Sequence, residues 1–281
     1  MLSTVEYLLP MFRTSESKIN KWLVLLELSF RSASQVYGRE FVRRVVLRRP
    51  LHMLRGLVAY SRLTPTDLLD GRRLFYDSPD TFLDRAAGDG ERLLVGTGFC
   101  QKPLRAAGSV HDCPAGRFNH ACLFLSRFAF DSATYCPPPC TECAIRILGQ
   151  AAAQAGASFA VLTSALDIAY DVLLPALEEQ RFTRVLFAIC PYSMEPMSLA
   201  LLACGVEGHL FPYVSGACAN YSQWLRADHG DKPERTALAP ASMVRLLHLL
   251  DSIAARRCVH AHMQPTRYKL VNHVFRPCSP A

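Results

Sequence analysis

A chain of 281 residues, half of them hydrophobic and a fifth charged, can bury a sizeable core and has the composition of a globular protein rather than a disordered or fibrous one. Its formal net charge of +7 is modest and uneven. Between Met1 and Tyr60 ten Lys or Arg face four Glu, a balance suited to an anionic surface or partner or to a solvated helix face.

No run reaches the roughly 18 to 20 apolar residues needed to cross a bilayer. The apolar run Trp22–Phe30 is interrupted by Glu27 and followed by Arg31, which does not suit a signal peptide. The expectation is therefore a cytoplasmic chain, peripheral at most to the inner face of the membrane, with its eleven cysteines reduced. In that setting clustered cysteines ligate metals or do redox chemistry.

Taken in order, Ile19, Trp22, Leu23, Leu26 and Phe30 recur at helical spacing behind capping residues at 14–17. The pattern continues through Phe41, Val45 and Val46 to a break at Pro50, and Leu51, Leu54, Leu57 and Val58 form the next stripe beside Arg48, Arg49 and Arg55. These basic amphipathic helices either dock on a membrane or partner protein or pack on their own domain with the arginines in water. A short helix is expected from Thr64, and a polar connection from Asp80 to Glu91. Leu93-Leu94-Val95 reads as a buried strand that turns at Gly96-Thr97-Gly98 and delivers Cys100.

From Cys100 to Pro139 the pattern is irregular, with one short apolar run at Leu123–Phe130. A loop of that length inside a compact domain needs something to hold it, and a metal site would do so. Regular alternation follows: a helix at Ala144–Ala155, a strand at Ser158–Leu162, a helix at Leu166–Gln180, a strand at Arg184–Ile189, a helix at Glu195–Cys204 and a strand at Gly208–Val214. Such alternation argues for βαβ units and a parallel sheet. Arg226 to Thr236 is polar and turn-rich, and Pro240 opens a last amphipathic helix. The expected architecture is an α/β fold with a small, mostly parallel sheet of Rossmann-like units and a cysteine-rich metal-binding loop region. It divides into an N-terminal basic helical segment (1–78), the α/β domain (92–225) and a C-terminal helix and tail (239–281).

Cys136-Pro-Pro-Pro-Cys140-Thr-Glu-Cys143 places three soft ligands in one loop and the first turn of a helix, where the dipole favours thiolates. With Cys100, Cys113 and Cys122 upstream, four thiolates can be drawn together for an iron–sulfur cluster or for zinc. Cys190 ends a strand, as does Ser164 within Thr163-Ser164, and in open α/β sheets the carboxyl ends of strands form the ligand crevice. Ser164 and Cys190 are therefore cofactor-binding candidates, and Cys190 or Cys218 is a candidate nucleophile or extra ligand. Cys204, inside a helix, reads as structural. Cys258, His260 and His262 would share a face of an extended tail. No phosphate-binding glycine loop, HExxH or basic–aromatic pattern is present, and no nucleic acid is expected as a partner.

The Cx3Cx2C spacing of Cys136, Cys140 and Cys143 resembles the cluster motif of radical S-adenosylmethionine enzymes, with Glu142 where those have an aromatic residue. A broader pattern resembles a cysteine-rich prokaryotic family catalogued as domain of unknown function one hundred and sixteen. It comprises Leu94-Val-Gly-Thr-Gly-Phe-Cys100-Gln, Asp112-Cys113-Pro, the Cys136–Cys143 cluster, Val161 to Ser164 and Ile189-Cys190-Pro, and covers about Leu93 to Asn220. That resemblance implies a fold and a metal site, not a reaction. Two functions follow as expectations: a metal-binding protein with a redox or cofactor-related role, acting on an unknown small molecule or partner, or a non-catalytic adaptor with structural zinc.

Overall fold

The computed structural model describes residues 35–63, 70–74, 78–104, 112–127, 138–258 and 267–278. The expected helix over Ile19–Phe30, the helix start at Thr64, Cys136 and the tail histidines His260 and His262 lie outside the described residues.

The first described helix, α1 (Val36–Phe41), runs into a π turn at Val42–Leu47 and is followed by α2 (Pro50–Ser61). Pro50 occupies the start of α2, where its missing N–H costs nothing. Gly56 brings α2 against the helix that carries Ala203: a Cβ on Gly56 would sit 2.7 Å from the Ala203 Cα. Of the expected stripe, Leu57 packs on the core, whereas Leu51 and Leu54 are 67% and 58% exposed and Val58 is also exposed. A short strand β1 (Arg72–Leu74) follows.

The stretch expected as a polar connection from Asp80 to Glu91 is largely a helix, α3 (Pro79–Gly88). Ser78 caps it by accepting from the Thr81 amide at 3.1 Å, and Phe82, Leu83, Ala86 and Ala87 are buried. Its other positions carry Asp, Arg and Gly, and that polar face hides the stripe in a composition reading. β2 (Leu93–Gly98) continues three residues beyond Val95. Gly96 lies inside the strand because a Cβ there would meet the Phe187 ring at 2.7 Å.

The regular region then unfolds nearly as its periodicity predicts. Short helices α4 (Leu123–Arg127) and α5 (Pro138–Thr141) precede α6 (Ala144–Gln154) and β3 (Ser158–Leu162). Next come α7 (Ala165–Ile168), a π turn (Ala169–Leu173), α8 (Leu174–Glu179), β4 (Arg184–Ile189), α9 (Met194–Ala203) and β5 (Glu207–Ser215). Part of the stretch expected to be turn-rich is helical, since α10 spans Tyr221–Asp228; β6 (Ala237–Leu238) and α11 (Pro240–Cys258) follow. The C-terminal segment, expected as helix and tail, adds a hairpin of β7 (Arg267–Val271) and β8 (Val274–Cys278).

The eight strands among the described residues join one sheet, ordered β1-β5-β4-β2-β3-β8-β7, with β6 also on β5. Pairing is parallel among β3, β2, β4 and β5 and antiparallel for β1, β6, β7 and β8. The protein is thus α/β with a mixed sheet, larger and less parallel than the sequence suggests. Its extra strands are short or lie at the chain's end, where alternation is weakest. The central strands bury both faces, which is why they read as continuous apolar runs. Leu93 and Val95 enter one core with α3, α6 and α11, while Leu94 enters the other with α2 and α9. A buried ion pair joins β1 to α9, Arg72 Nη2 donating to Glu195 Oε1 at 2.6 Å, and Tyr60 of α2 donates to the other carboxylate oxygen at 2.5 Å. Among the described residues no helix is long and apolar enough to cross a membrane.

Candidate functional site

The chain passes from β2 to β3 on one side, then crosses back to β4 on the other side of β2. Such a reversal leaves a crevice beyond the carboxyl ends of the two strands. The β2–β4 ladder stops at Thr97 opposite Ala188. Past it the Tyr213 hydroxyl, from β5, takes over the pairing: it accepts from the Gly98 amide at 2.7 Å and donates to the Ala188 carbonyl at 2.6 Å. A cavity of about 430 Å³ opens there, bounded by Gly98, Ser164, Ile189, Cys190 and Cys218, with Phe41, Met53, Met197 and Trp224 supplying an apolar wall. Its position and apolar lining are those of a small-molecule site.

Two thiols meet in this cavity. Cys190 sits at the end of β4 before the turn into α9, and Cys218 follows β5 on the neighbouring strand. The Cys190 thiol donates a hydrogen bond to the Cys218 sulfur. That bond lowers the Cys218 pKa to about 7 against the opposing effect of burial, and the Lys232 ammonium lowers it further. Being the donor to that sulfur, and being buried, pushes the Cys190 pKa up. Burial pulls the Lys232 pKa down, but its bond to Glu234 (2.9 Å) and the nearby Cys218 sulfur outweigh burial and keep it charged. Cys100 is next to this pair; its sulfur accepts from Thr236 Oγ1 at 3.1 Å, and burial raises its pKa. Ser164 lines the cavity while capping α7, accepting from the Asp167 amide at 3.1 Å.

The six cysteines named as candidates for a four-thiolate metal site do not all come together. Cys100 belongs with Cys190 and Cys218. Cys113, Cys122 and Cys143 are neighbours of one another and of Lys102, Cys140 is buried on α5, and Cys136 lies outside the described residues. Among the described residues no three cysteine sulfurs lie within 4.8 Å of one another. The described part of the loop expected to need a metal is tied by Lys102, 1% exposed, whose ammonium donates to Gly116 O (3.0 Å), Asn119 O (2.8 Å) and Asn119 Oδ1 (2.7 Å). Nor is the Cys143 thiol acidified as the helix-dipole argument predicts. Burial raises its pKa more than the α6 amides of Arg146 and Ile145 lower it. Burial likewise raises Cys122 to about 11 and Cys204, at the end of α9, to about 12.

Sequence reasoning placed Ser164, Cys190 and Cys218 at the strand ends and missed Tyr213, Lys232 and Trp224. Tyr213 looks like any aromatic in a buried strand, and Lys232 like any charge in a turn. Comparisons with models of protein families, with curated proteins and with solved structures found no match to this chain.

Proposed function

We propose that this is a thiol-redox protein whose working centre is the Cys190–Cys218 pair, open to an apolar ligand in the strand-end cavity. The carrying observation is the convergence of Cys190, Cys218 and the buried Lys232 on one strand-end cavity; the lowered Cys218 pKa supports it. In the reaction this supports, the Cys218 thiolate attacks one sulfur of a disulfide-bearing ligand and the other sulfur leaves as a thiolate. Cys190 passes its proton to that leaving group and attacks Cys218, so a Cys190–Cys218 disulfide forms and the ligand departs as one thiol and one thiolate, the latter taking its proton from water. The topology of the parallel strands supports a Rossmann-like reading of the core. Convergence of Cys100 and Cys190 at one site supports the family resemblance seen from Leu93 to Asn220.

Metal binding by the other cysteines stays within the proposal, with Cys113, Cys122, Cys140 and Cys143 as the donor set. Tetrahedral zinc, with bonds of about 2.3 Å, needs its sulfurs closer together than they lie here, whereas an iron–sulfur cluster spaces its ligands more widely. An adaptor reading draws on one separate observation. Leu47, Leu51, Leu54 and Val58 form an exposed apolar stripe on the basic helical segment, suited to a membrane surface or a partner.

Iodoacetamide trapping across pH, read by mass spectrometry, tests the dithiol. Cys218 should label first, with a midpoint near pH 7, and Cys190→Ala, which removes the donor, should move that midpoint up. Mild oxidation should yield a Cys190–Cys218 disulfide. Labelling of Cys218 only in the ordinary thiol range, or disulfides that exclude the pair, would end the proposal.

A further inference from the structure

At the far side of β3 from the dithiol, four metal-ligating side chains converge from three separate parts of the chain. His120 comes from the loop before α4, Asp167 from α7 and Asp171 from the π turn four residues on, and His273 from the tip of the β7–β8 hairpin. One donor atom from each lies within 4.8 Å of the others. We infer that His120, Asp167, Asp171 and His273 form a binding site for a single first-row divalent cation of borderline softness, such as Zn²⁺.

The convergence and orientation of the donor atoms carry the argument. His120 Nδ1 is 3.0 Å from the Val161 carbonyl, so that nitrogen bears the proton. Donation from a ring N–H to a backbone carbonyl is the usual orienting contact behind a histidine ligand. It leaves Nε2 as a lone pair 3.4 Å from Asp167 Oδ2. Thr163 Oγ1 lies 3.2 Å from the same nitrogen, but its proton is given to Asp167. Nε2 thus faces the Asp167 carboxylate while Nδ1 is held by the backbone, the orientation of a histidine ligand. The two imidazoles stack with centroids 4.0 Å apart and planes 5° from parallel, so His273 brings a second ring to the same carboxylates.

Two nitrogens and two oxygens suit zinc and its first-row neighbours better than they suit calcium or a thiophilic ion. His273 Nδ1 is 2.9 Å from Asp171 Oδ2, and its side chain is 54% exposed, so this ring can turn out of the stack to complete the shell. Its backbone is informative too. Asn272 and His273 have φ of +46° and +65°, the left-handed pair of a tight hairpin turn, where the second position ordinarily favours glycine. Holding an imidazole at that position puts a ligand at the hairpin tip. Bound metal would then staple β7–β8 to α7, beside Ser164 and the cavity.

Co²⁺ titration of the reduced full chain, read by its visible spectrum, tests the site. The expected result is a saturable visible band without the intense near-ultraviolet absorption of cobalt–thiolate bonds, unchanged in Cys143→Ser. His273→Gly suits the left-handed turn, so its metal-free melting temperature should not fall, while its Co²⁺ affinity should drop at least about tenfold. Asp171→Asn should weaken binding similarly. Cobalt absorption that is only thiolate in character, or affinity unchanged in both variants, would overturn the inference.

Discussion

Replacing Tyr213 by Phe keeps the ring in its buried slot and removes a single oxygen. That oxygen donates to the Ala188 carbonyl at 2.6 Å and accepts from the Gly98 amide at 2.7 Å. The β2–β4 ladder ends at Thr97 opposite Ala188, so the hydroxyl supplies the last link between these two strands. Leaving a buried donor or acceptor without a partner costs about 1–3 kcal/mol each, which places the change at about 2–6 kcal/mol. Thr97 Oγ1, 3.0 Å from the same hydroxyl, keeps its bond to Gln101 at 2.6 Å and adds little to the loss. For a chain of this size each kcal/mol moves the melting temperature by roughly 2 °C, so a fall of about 4–12 °C is expected by calorimetry. Amide exchange should quicken at Gly98 far more than at Val95, deep in the same strand. A stability change under about 0.5 kcal/mol, or equal acceleration at both amides, would refute the view that this hydroxyl holds the strand ends around the cavity.

Lys102→Met should cost about 2–4 kcal/mol, because the Gly116 and Asn119 carbonyls lose a buried, charged donor; proteolysis within residues 112–122 should become faster. Stability should also fall on acidification through His209, 2% exposed on β5, whose pKa burial and then Arg73 lower to about 3. The unfolded chain takes up this proton below about pH 6.5 and the folded one does not until about pH 3. The contribution is therefore intact above pH 6.5 and declines by about 1.4 kcal/mol per unit through that window. In urea melts at pH 7 and pH 5, His209→Gln should lose about 2 kcal/mol less than the parent chain over that interval; equal losses would assign the slope elsewhere.

Local pattern determined the middle of this protein. The apolar runs at Ser158–Leu162 and Arg184–Ile189 coincide with β3 and β4, and the helices before, between and after them end within a residue or two of where Gly156, Gln180 and Gly205 stop them. Strand ends gather ligand groups in any such sheet, so Ser164, Cys190 and Cys218 could be placed from order alone. Pairing across distance could not. Cysteine spacing grouped Cys100 with Cys113, Cys122 and Cys143, yet β2 carries it toward Cys190 and Cys218, because strand neighbours are set by the sheet and not by closeness in the chain. Helix α3 was hidden by its charged face, and the β7–β8 hairpin by a turn at Asn272-His273 that lacks the usual glycine. The His120–Asp167–Asp171–His273 cluster left no motif at all, since its members span from residue 120 to residue 273 and meet only when the last hairpin docks against β3. Thiol acidity was likewise a tertiary decision: helix position argued for an acidic Cys143, but burial reversed it, and a hydrogen bond from one neighbouring thiol moved Cys218 the other way.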